Sequence, residues 1–350
     1  MLINTEEIQQ SFQKMEQALK NIKRLIVLMH DNPDPDSVSS AVTLAHIVKN
    51  RFNIPAAVKY RGIVGRAENR AMIRVLGLHI SPLSASDFRP GVAFAVVDMQ
   101  PGTGNCSLPK SCKPVIVIDH HSLRKTTKAD FIDVRTDYGA TATILTEYLL
   151  ESGLEITSKL AAALSYGISS ETQDLGREAT EKDIQAYLAL FPKSNKKLLA
   201  SIEHPKFPRE YFITLNRALH QSFIYKNAVV TSLGELKNPD FVAFIADFML
   251  TIERISWSMC IGRTKEKIIV SVRTTNVKGD AGNFLRRLIG KRGTAGGHDM
   301  VAGGQITCES MEHDRCTKAE DQLIQDFFKK LGTKEPGETT PLLTTEPIHT

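Results

Sequence analysis

The chain has 350 residues, 42% hydrophobic and 24% charged, enough apolar material for two cores and too much for wholesale disorder. Its 44 basic against 39 acidic residues leave a net charge of +5, mildly favourable to anionic ligands but no footprint for a long duplex. Five cysteines, odd in number and without a CxxC pair, argue against a disulfide framework or a structural zinc site and for reduced thiols. The N-terminus has no signal-peptide core and no apolar run approaches membrane-spanning length, so a soluble cytoplasmic protein without a membrane partner is expected.

In chain order, Ile8, Phe12, Met15 and Leu19 repeat at helical spacing behind a Thr5 cap. A strand at 25–29, a helix at 38–49, a strand at 56–60, a helix at 67–76 and strands at 92–97 and 115–118 follow. These strands are unbroken Val/Ile/Leu/Ala runs without alternation, as expected where both faces are buried. Alternating strands and helices imply a mostly parallel sheet with helices on both faces. Helices are read at 140–152 and 158–166, and Thr180-x-x-Asp183 reads as a capping box opening a helix to Leu190.

Residues 191–225, with three prolines and a Lys-rich stretch, read as a helical connector. The pattern restarts with a strand at 228–232 and a helix capped by Asn238-Pro239 and running to Ile252. A hairpin at 255–273, a helix at 281–289 and a glycine-rich loop at 293–304 come next. Thr317-x-x-Glu320 reads as the cap of a last helix, and the Thr/Pro/Glu-rich tail 333–350 as disordered. The fold class is therefore α/β. A domain at 1–190 carries the parallel sheet, and a smaller α/β domain occupies 226–332.

The chemistry concentrates where strands end. His30-Asp31-Asn32-Pro33-Asp34-Pro35-Asp36 follows the first strand, Asp98 follows another, and Asp119-His120-His121 follows a third. In an open parallel sheet, ligands gather beyond the carboxyl ends of the strands, which is where these residues fall. Carboxylates brought within a few ångströms repel unless cations stand between them. Histidine with several aspartates and no thiolate suits Mn²⁺, with Mg²⁺, Zn²⁺ or Co²⁺ as lesser fits. An Asx-rich turn capping the following helix, with Asp36 as the cap, explains the first motif alone but not all three.

His30-x-x-x-Asp34-x-Asp36, Asp98 and Asp119-His120-His121 resemble the first three motifs of the DHH phosphoesterase superfamily. Gly139-Ala140-Thr141-Ala142-Thr143 resembles the helix start that follows them. Gly167-Ile168-Ser169-Ser170-Glu171-Thr172 resembles its Gly-Ile-x-x-Asp-Thr motif, with Glu171 in place of the usual aspartate. Ser271-Val272-Arg273 and Gly296-Gly297-His298, within 296–304, resemble the strand and glycine loop of the DHH-associated substrate domain.

The resemblance implies one metal held by His30, Asp34 and Asp98, and a second by Asp36, Asp98, His120 and Glu171. Asp174 is a substitute ligand should Glu171 not reach. Asp119 would orient a neighbouring imidazole and His121 would face the scissile phosphate. Arg273, Gly296, Gly297 and His298 would bind the remote part of the substrate across a cleft. The group of enzymes implied is the nanoRNase and pAp-phosphatase type. It takes very short single-stranded oligonucleotides or 3′-phosphoadenosine 5′-phosphate rather than a duplex, and a homodimer is compatible with it. The rival readings are a phosphodiesterase for cyclic dinucleotides or linear pApA/pGpG, and a nucleotide-binding protein whose second metal site has degenerated; an inorganic pyrophosphatase ranks behind them because the Gly-Gly-His loop resembles the nucleotide-binding type. Arg286, Arg287, Lys291 and Arg292 read equally as cleft or solvated face, and Trp257 and Phe284 as core.

Overall fold

The computed structural model describes residues 5–62, 64–65, 67–176, 179–264, 267–298, 300–307, 313–332 and 339–343. It divides into two compact units, Met1–Pro205 and Lys206–Thr350. The stretch read as a connector is shared out between them. Residues 191–205 complete the first unit and 206–225 begin the second.

The first unit contains α1 (Thr5–Leu19), β1 (Leu25–Leu28), α2 (Pro35–Arg51), β2 (Ala56–Tyr60), α3 (Ala67–Leu76), β3 (Ile80–Pro82), β4 (Ala93–Val97), β5 (Ile116–Asp119) and β6 (Phe131–Val134). Four helices follow: α4 (Thr141–Glu151), α5 (Ser158–Glu171), α6 (Glu181–Leu190) and α7 (Lys196–Glu203). The six strands form one wholly parallel sheet in the order β3-β2-β1-β4-β5-β6. The strand order reverses between β1 and β4, which makes the ends of those strands the topological switch point. Two of the strands, β3 and β6, escaped the sequence reading because they are only three and four residues long and lack an unbroken apolar run.

Side-chain alternation divides the core. Leu25, Val27 and Met29 join Ala95, Val97, Ile116 and Ile118 in a large cluster with residues of α1, α2, α4 and α5. Ile26, Leu28, Phe94, Val96 and Val117 face the other way, onto Met99, Leu108, Leu83 and Phe88. That second face, where helices were expected, is closed by connecting segments instead.

Helix α2 begins at Pro35 rather than at Val38. Its cap is Asp34, whose carboxylate accepts from the Ser37 N–H at 2.9 Å while the Ser37 hydroxyl accepts from the Asp34 N–H. Proline at the first helical position fits because its missing donor is not needed there. Helices α2 and α5 approach closely at Gly167, where a Cβ would stand 2.2 Å from Ser39 Oγ.

The second unit contains α8 (Arg209–Gln221), β7 (Ser222–Tyr225), β8 (Ala228–Glu235), α9 (Asp240–Met249), β9 (Trp257–Arg263), β10 (Lys267–Thr274), α10 (Ala281–Ile289), β11 (Gly293–His298), β12 (Val301–Thr307), α11 (His313–Lys330) and β13 (Thr340–Pro341). Its seven-stranded sheet runs β11-β12-β10-β9-β8-β7-β13, antiparallel except for β8 beside β9. One face packs on α10 and α11, with Trp257 and Phe284 in that core, and the other on α8 and α9.

Three expectations change in this unit. The glycine loop is a β-hairpin, with Gly296 opposite Gly303. The tail is not wholly disordered, since Thr340–Pro341 pairs with β7, and 333–338 and 344–350 lie outside the described residues. The last helix starts before Thr317, so Glu320 is no cap. It is buried against Arg263, with Nε 2.9 Å from Oε1, and accepts from the Ser232 hydroxyl. A capping box cannot be told from an interior Thr/Glu pair by spacing alone.

Candidate metal centre

Parallel register sets the site. Leu28 of β1 pairs with Val96 of β4, so His30 and Asp98 lie two residues beyond one level of the sheet. Asp98 then donates its backbone N–H to Ile118 O at 2.9 Å, which brings the end of β5 alongside. Its φ is +57°, a left-handed conformation that costs a non-glycine residue about 1–2 kcal/mol and is tolerated best by Asp and Asn. The strain turns the Asp98 carboxylate across the switch point, between the loops after β1 and β5.

There the carboxylate faces two histidine groups. Oδ2 is 3.5 Å from His30 Nε2, which is also 3.2 Å from Asp34 Oδ2. Oδ1 is 3.6 Å from His120 Nε2 and 3.8 Å from His121 Nδ1, and it accepts from the Thr141 hydroxyl at 3.0 Å. Two clusters compact enough to hold a metal ion result: His30, Asp34 and Asp98, and Asp98, His120 and His121. Asp98 belongs to both.

Polar neighbours orient each imidazole. His30 Nδ1 lies 3.0 Å from Asp31 O and His120 Nδ1 3.2 Å from Tyr138 O. With those nitrogens donating, each Nε2 keeps its lone pair for the centre. His120 Nε2 is buried and has no hydrogen-bond partner among the described residues. An orphaned buried acceptor of this kind calls for a ligand. Burial, and then the charge of His121, push the His120 pKa down to about 4, so it is a neutral donor at neutral pH.

The carboxylates make the same case. Burial, then the charges of Asp36, Asp34 and Glu171, raise Asp98 well above the ordinary carboxylate range. Burial, Glu171 and Asp34 do so for Asp36. Burial alone would lower His30, but the charge and hydrogen bond of Asp34 raise it to about 9. The pocket therefore holds protons where cations would relieve the repulsion. Oxygen and imidazole donors without thiolate fit hard or borderline divalent ions, so these residues fit the expected metals.

Asp36 and Glu171 lie outside both compact clusters. Asp36 accepts from the Thr141 and Ala142 N–H groups at 2.8 and 2.7 Å, satisfying the first turn of α4. Oδ1 also accepts from the Ser40 hydroxyl at 3.4 Å, while Oδ2 retains a second lone pair, so this role leaves ligation open through Oδ2. Glu171 ends α5, and its charge bears on His30, Asp36, Asp98 and His121. Asp174 does not join them. It is exposed and lines a separate polar concavity of about 470 Å³ with Tyr166, Glu203 and His204.

Asp119 supports the other histidine of its motif. Its Oδ1 accepts from His121 Nδ1 at 2.8 Å. Burial would raise its pKa, but the hydrogen bond and charge of His121 bring it below the ordinary value. Thr141, Gln100 and the Tyr138 carbonyl belong to the site and were not singled out from sequence. Thr141 lies within the quoted Gly139–Thr143 stretch; the other two carry no signal in a single sequence.

Arg273 is placed differently from expectation. Its side chain is 5% exposed, its Nε donates to Asp247, and its Nη1 donates to Ser271 Oγ at 2.7 Å and Ala302 O at 3.2 Å. The fork expected to meet an anion is committed to α9 and β12. Gly296 and Gly303 are exposed with nothing within 4 Å of a Cβ built on either, which leaves a bare shelf on the hairpin. Gly297 is the opposite case, with φ +140° and a Cβ that would meet Val301 O at 2.3 Å. The side chain of His298 lies outside the described residues. Arg292 pairs with Asp326 at 2.9 Å, which answers the solvated-face reading for that residue.

Residues 24–168 match the DHH family N-terminal domain and residues 225–329 the DHHA1 domain. The chain belongs to the DHH phosphoesterase superfamily. It is 33% identical over 318 residues to an uncharacterized protein of Methanocaldococcus jannaschii, covering 89% of this chain and 65% of that one. It is 28% identical over 169 residues to a probable manganese-dependent inorganic pyrophosphatase of Deinococcus radiodurans, covering 47% of this chain and 53% of that one. The chain thus spans between about half and two thirds of the length of these relatives. Among solved structures, an exopolyphosphatase-related protein from Bacteroides fragilis shares the DHH-type fold with a TM-score of 0.67 at 14% identity. The likeness covers 92% of this chain and 98% of that one.

Proposed function

We propose that the chain is a divalent-metal-dependent phosphoesterase acting on short single-stranded nucleotides. It hydrolyses very short oligonucleotides to nucleoside 5′-monophosphates, or 3′-phosphoadenosine 5′-phosphate to AMP and phosphate. The observation that carries this reading is the Asp98 carboxylate shared between two histidine-bearing clusters at the switch point.

His30, Asp34 and Asp98 would hold one cation, and His120 and Asp98, with Asp36 and Glu171 alongside, a second. Mn²⁺ is the ion named for the pyrophosphatase relatives. Such a pair acidifies a water nucleophile and neutralises phosphate charge. The residues supply the rest. Asp98 holds both clusters at one level, Thr141 fixes its Oδ1, and His30 and His120 present Nε2 with the tautomer set by carbonyls. His121, half exposed with Nδ1 engaged by Asp119, would meet a substrate phosphate as the imidazolium, whose Nε2–H donates while Nδ1–H stays on Asp119.

The DHHA1 match and the bare shelf of Gly296 and Gly303 support a small nucleotide over a polymer, because backbone can approach a ligand there without Cβ interference. Among the described residues, no helix is long and apolar enough to cross a membrane. Incubation with Mn²⁺ and a panel of pAp, dinucleotides, longer RNA, cyclic dinucleotides and pyrophosphate, with products identified by mass, tests the reading. Turnover confined to pAp and dinucleotides is the expected result. Turnover of cyclic dinucleotides alone, or of no member of the panel, overturns it. Pyrophosphate is the second reading to test, since the pyrophosphatase relatives are 28–30% identical over just under half of the chain.

A further inference from the structure

Two residues beyond Asp98, the side chain of Gln100 is 1% exposed and uses its whole amide. Nε2 donates to Asp119 Oδ2 at 2.7 Å and to the Ser122 carbonyl at 3.2 Å. Oε1 accepts from the Arg124 N–H at 2.9 Å and from the Thr127 hydroxyl at 2.7 Å. Two donors and two acceptors are the full capacity of a primary amide. No other side chain reproduces that set at this length: a carboxylate lacks the donor that Asp119 needs, and a thioether lacks both.

What hangs on those four bonds is the residue facing the substrate. The ring of His121 is 53% exposed, so packing does little to orient it. Its fixed contacts are Asp119 Oδ1 on Nδ1, the same oxygen accepting from its own N–H at 3.3 Å, and an edge contact to His120 with ring centroids 4.2 Å apart. Asp119 can hold that ring only while its carboxylate plane is itself held, and the bond on Oδ2 comes from Gln100. The other end of the same amide clamps the turn after His121. In that turn Arg124, Lys125 and Lys128 are exposed, with no side-chain partner among the described residues.

We propose that Gln100 is a positioning residue. It fixes the carboxylate plane of Asp119, and through it the ring of His121, while locking the cationic turn 122–128 at a set distance from that ring. Its kinetic consequence rests on the phosphoesterase reading; the geometric claim does not. Removing Gln100 lowers turnover because His121 then samples orientations in which its donor misses the phosphate. Ground-state affinity changes little.

The decisive measurement is the His121 ring itself, by long-range ¹H–¹⁵N spectroscopy of the full chain without substrate. With the ring neutral in the free protein, the wild type shows the His121 proton held on Nδ1 by Asp119; the form that donates to phosphate is the imidazolium, which carries a second proton on Nε2. Gln100→Met cuts both ends of the clamp, and Gln100→Glu at pH 8 keeps the acceptor side but removes the donor to Asp119. Either variant converts the signal to a tautomer mixture, so one that fails to fold does not stop the test. Thr127→Val cuts only the turn-side bond and leaves the His121 signal in place.

In turnover of a substrate found by the panel above, Gln100→Met lowers kcat about 10–100-fold with KM within about twofold. An unchanged His121 spectrum in both Gln100 variants overturns the proposal whatever happens to activity. So does an equal tautomer change in Thr127→Val. If no phosphate ester is turned over by the wild type, the functional reading fails while the spectra still decide this one.

Discussion

Beyond β1 and β4 of the first unit, Asp98 and Asp36 are buried among carboxylates. In the second unit Arg273 is buried against Asp247, and Arg263 against Glu320. The first arrangement is electrostatically open, held by protons or by added cations; the second is closed on itself. Sheet geometry accounts for the difference. A parallel sheet delivers every strand end to one edge, so charges carried there converge. In the second unit the charged groups lie along a largely antiparallel ladder and meet partners from helices packed on its faces. Substitutions in the first place should therefore cost chemistry, and in the second, stability.

The largest effect expected is at Asp98. Asp98→Ala should lower kcat by on the order of 10³-fold or more, because both clusters lose their common oxygen donors. The metal-free protein should melt close to the wild type, since removing a buried carboxyl crowded by other carboxylates offsets the extra cost of an alanine in a left-handed conformation that aspartate tolerates better. Full turnover at saturating Mn²⁺, or a large fall in Tm in EDTA, would contradict the assignment of Asp98 as the shared residue.

Arg273→Ala should do the reverse. It takes the guanidinium away from Asp247, Ser271 Oγ and Ala302 O and should cost about 2–3 kcal/mol of unfolding free energy, less than a fully buried pair because the Asp247 side chain is 36% exposed. Replacing both partners with apolar residues should recover most of that loss in a denaturant titration. The double variant also separates the two roles considered for this arginine. If Arg273 still touches substrate, stability returns while KM for a dinucleotide stays raised and KM for an aryl phosphodiester does not.

A third contrast is with pH. In the metal-free protein the folded-state pKa values of Asp98 and Asp36 lie above their ordinary 3.8, so the folded state binds more protons and loses stability as pH rises. His30 runs the same way: its contribution is complete below its ordinary 6.5 and is lost as pH rises through about 9. Asp119, lowered by His121, matters only in acid. Cations displace those protons, so the gain in Tm on adding Mn²⁺ should widen from about pH 6 to about pH 9. A gain independent of pH, followed by differential scanning fluorimetry against EDTA, would break the argument.

The open site was far more legible in the sequence than the closed one. Three strand ends carrying His30, Asp98 and Asp119-His120-His121 are visible because local chemistry and strand pattern coincide, and the register of β1, β4 and β5 then brings them together. Arg273 reads as an aimed fork in a strand pattern; its partner Asp247 lies 26 residues away on another element, where no spacing rule reaches. The glycine run 293–304 reads as a loop by composition, yet pairs as a hairpin because Gly293, Gly297 and Gly304 allow the strands and α10 to close up. Gln100 is the sharpest omission. A lone glutamine after a turn carries no periodicity, and its meaning lies wholly in the four atoms around it.

The smallest effect expected is at Glu171, where the chain has one methylene more than the aspartate usual in its superfamily. Its carboxylate lies outside the two compact clusters, yet its charge weighs on His30, Asp36, Asp98 and His121, so it would act on a second cation through field, through reach, or through both. The two contributions can be separated. Glu171→Gln keeps the length and removes the charge, and should raise the Mn²⁺ concentration for half-maximal activity by about 10-fold. Glu171→Asp keeps the charge and shortens the reach; if field dominates, half-saturation shifts by no more than about threefold, well within what one positioning contact contributes. If instead Glu171→Asp is the more damaging change, the longer side chain coordinates directly, and the second site of this chain is built around its length.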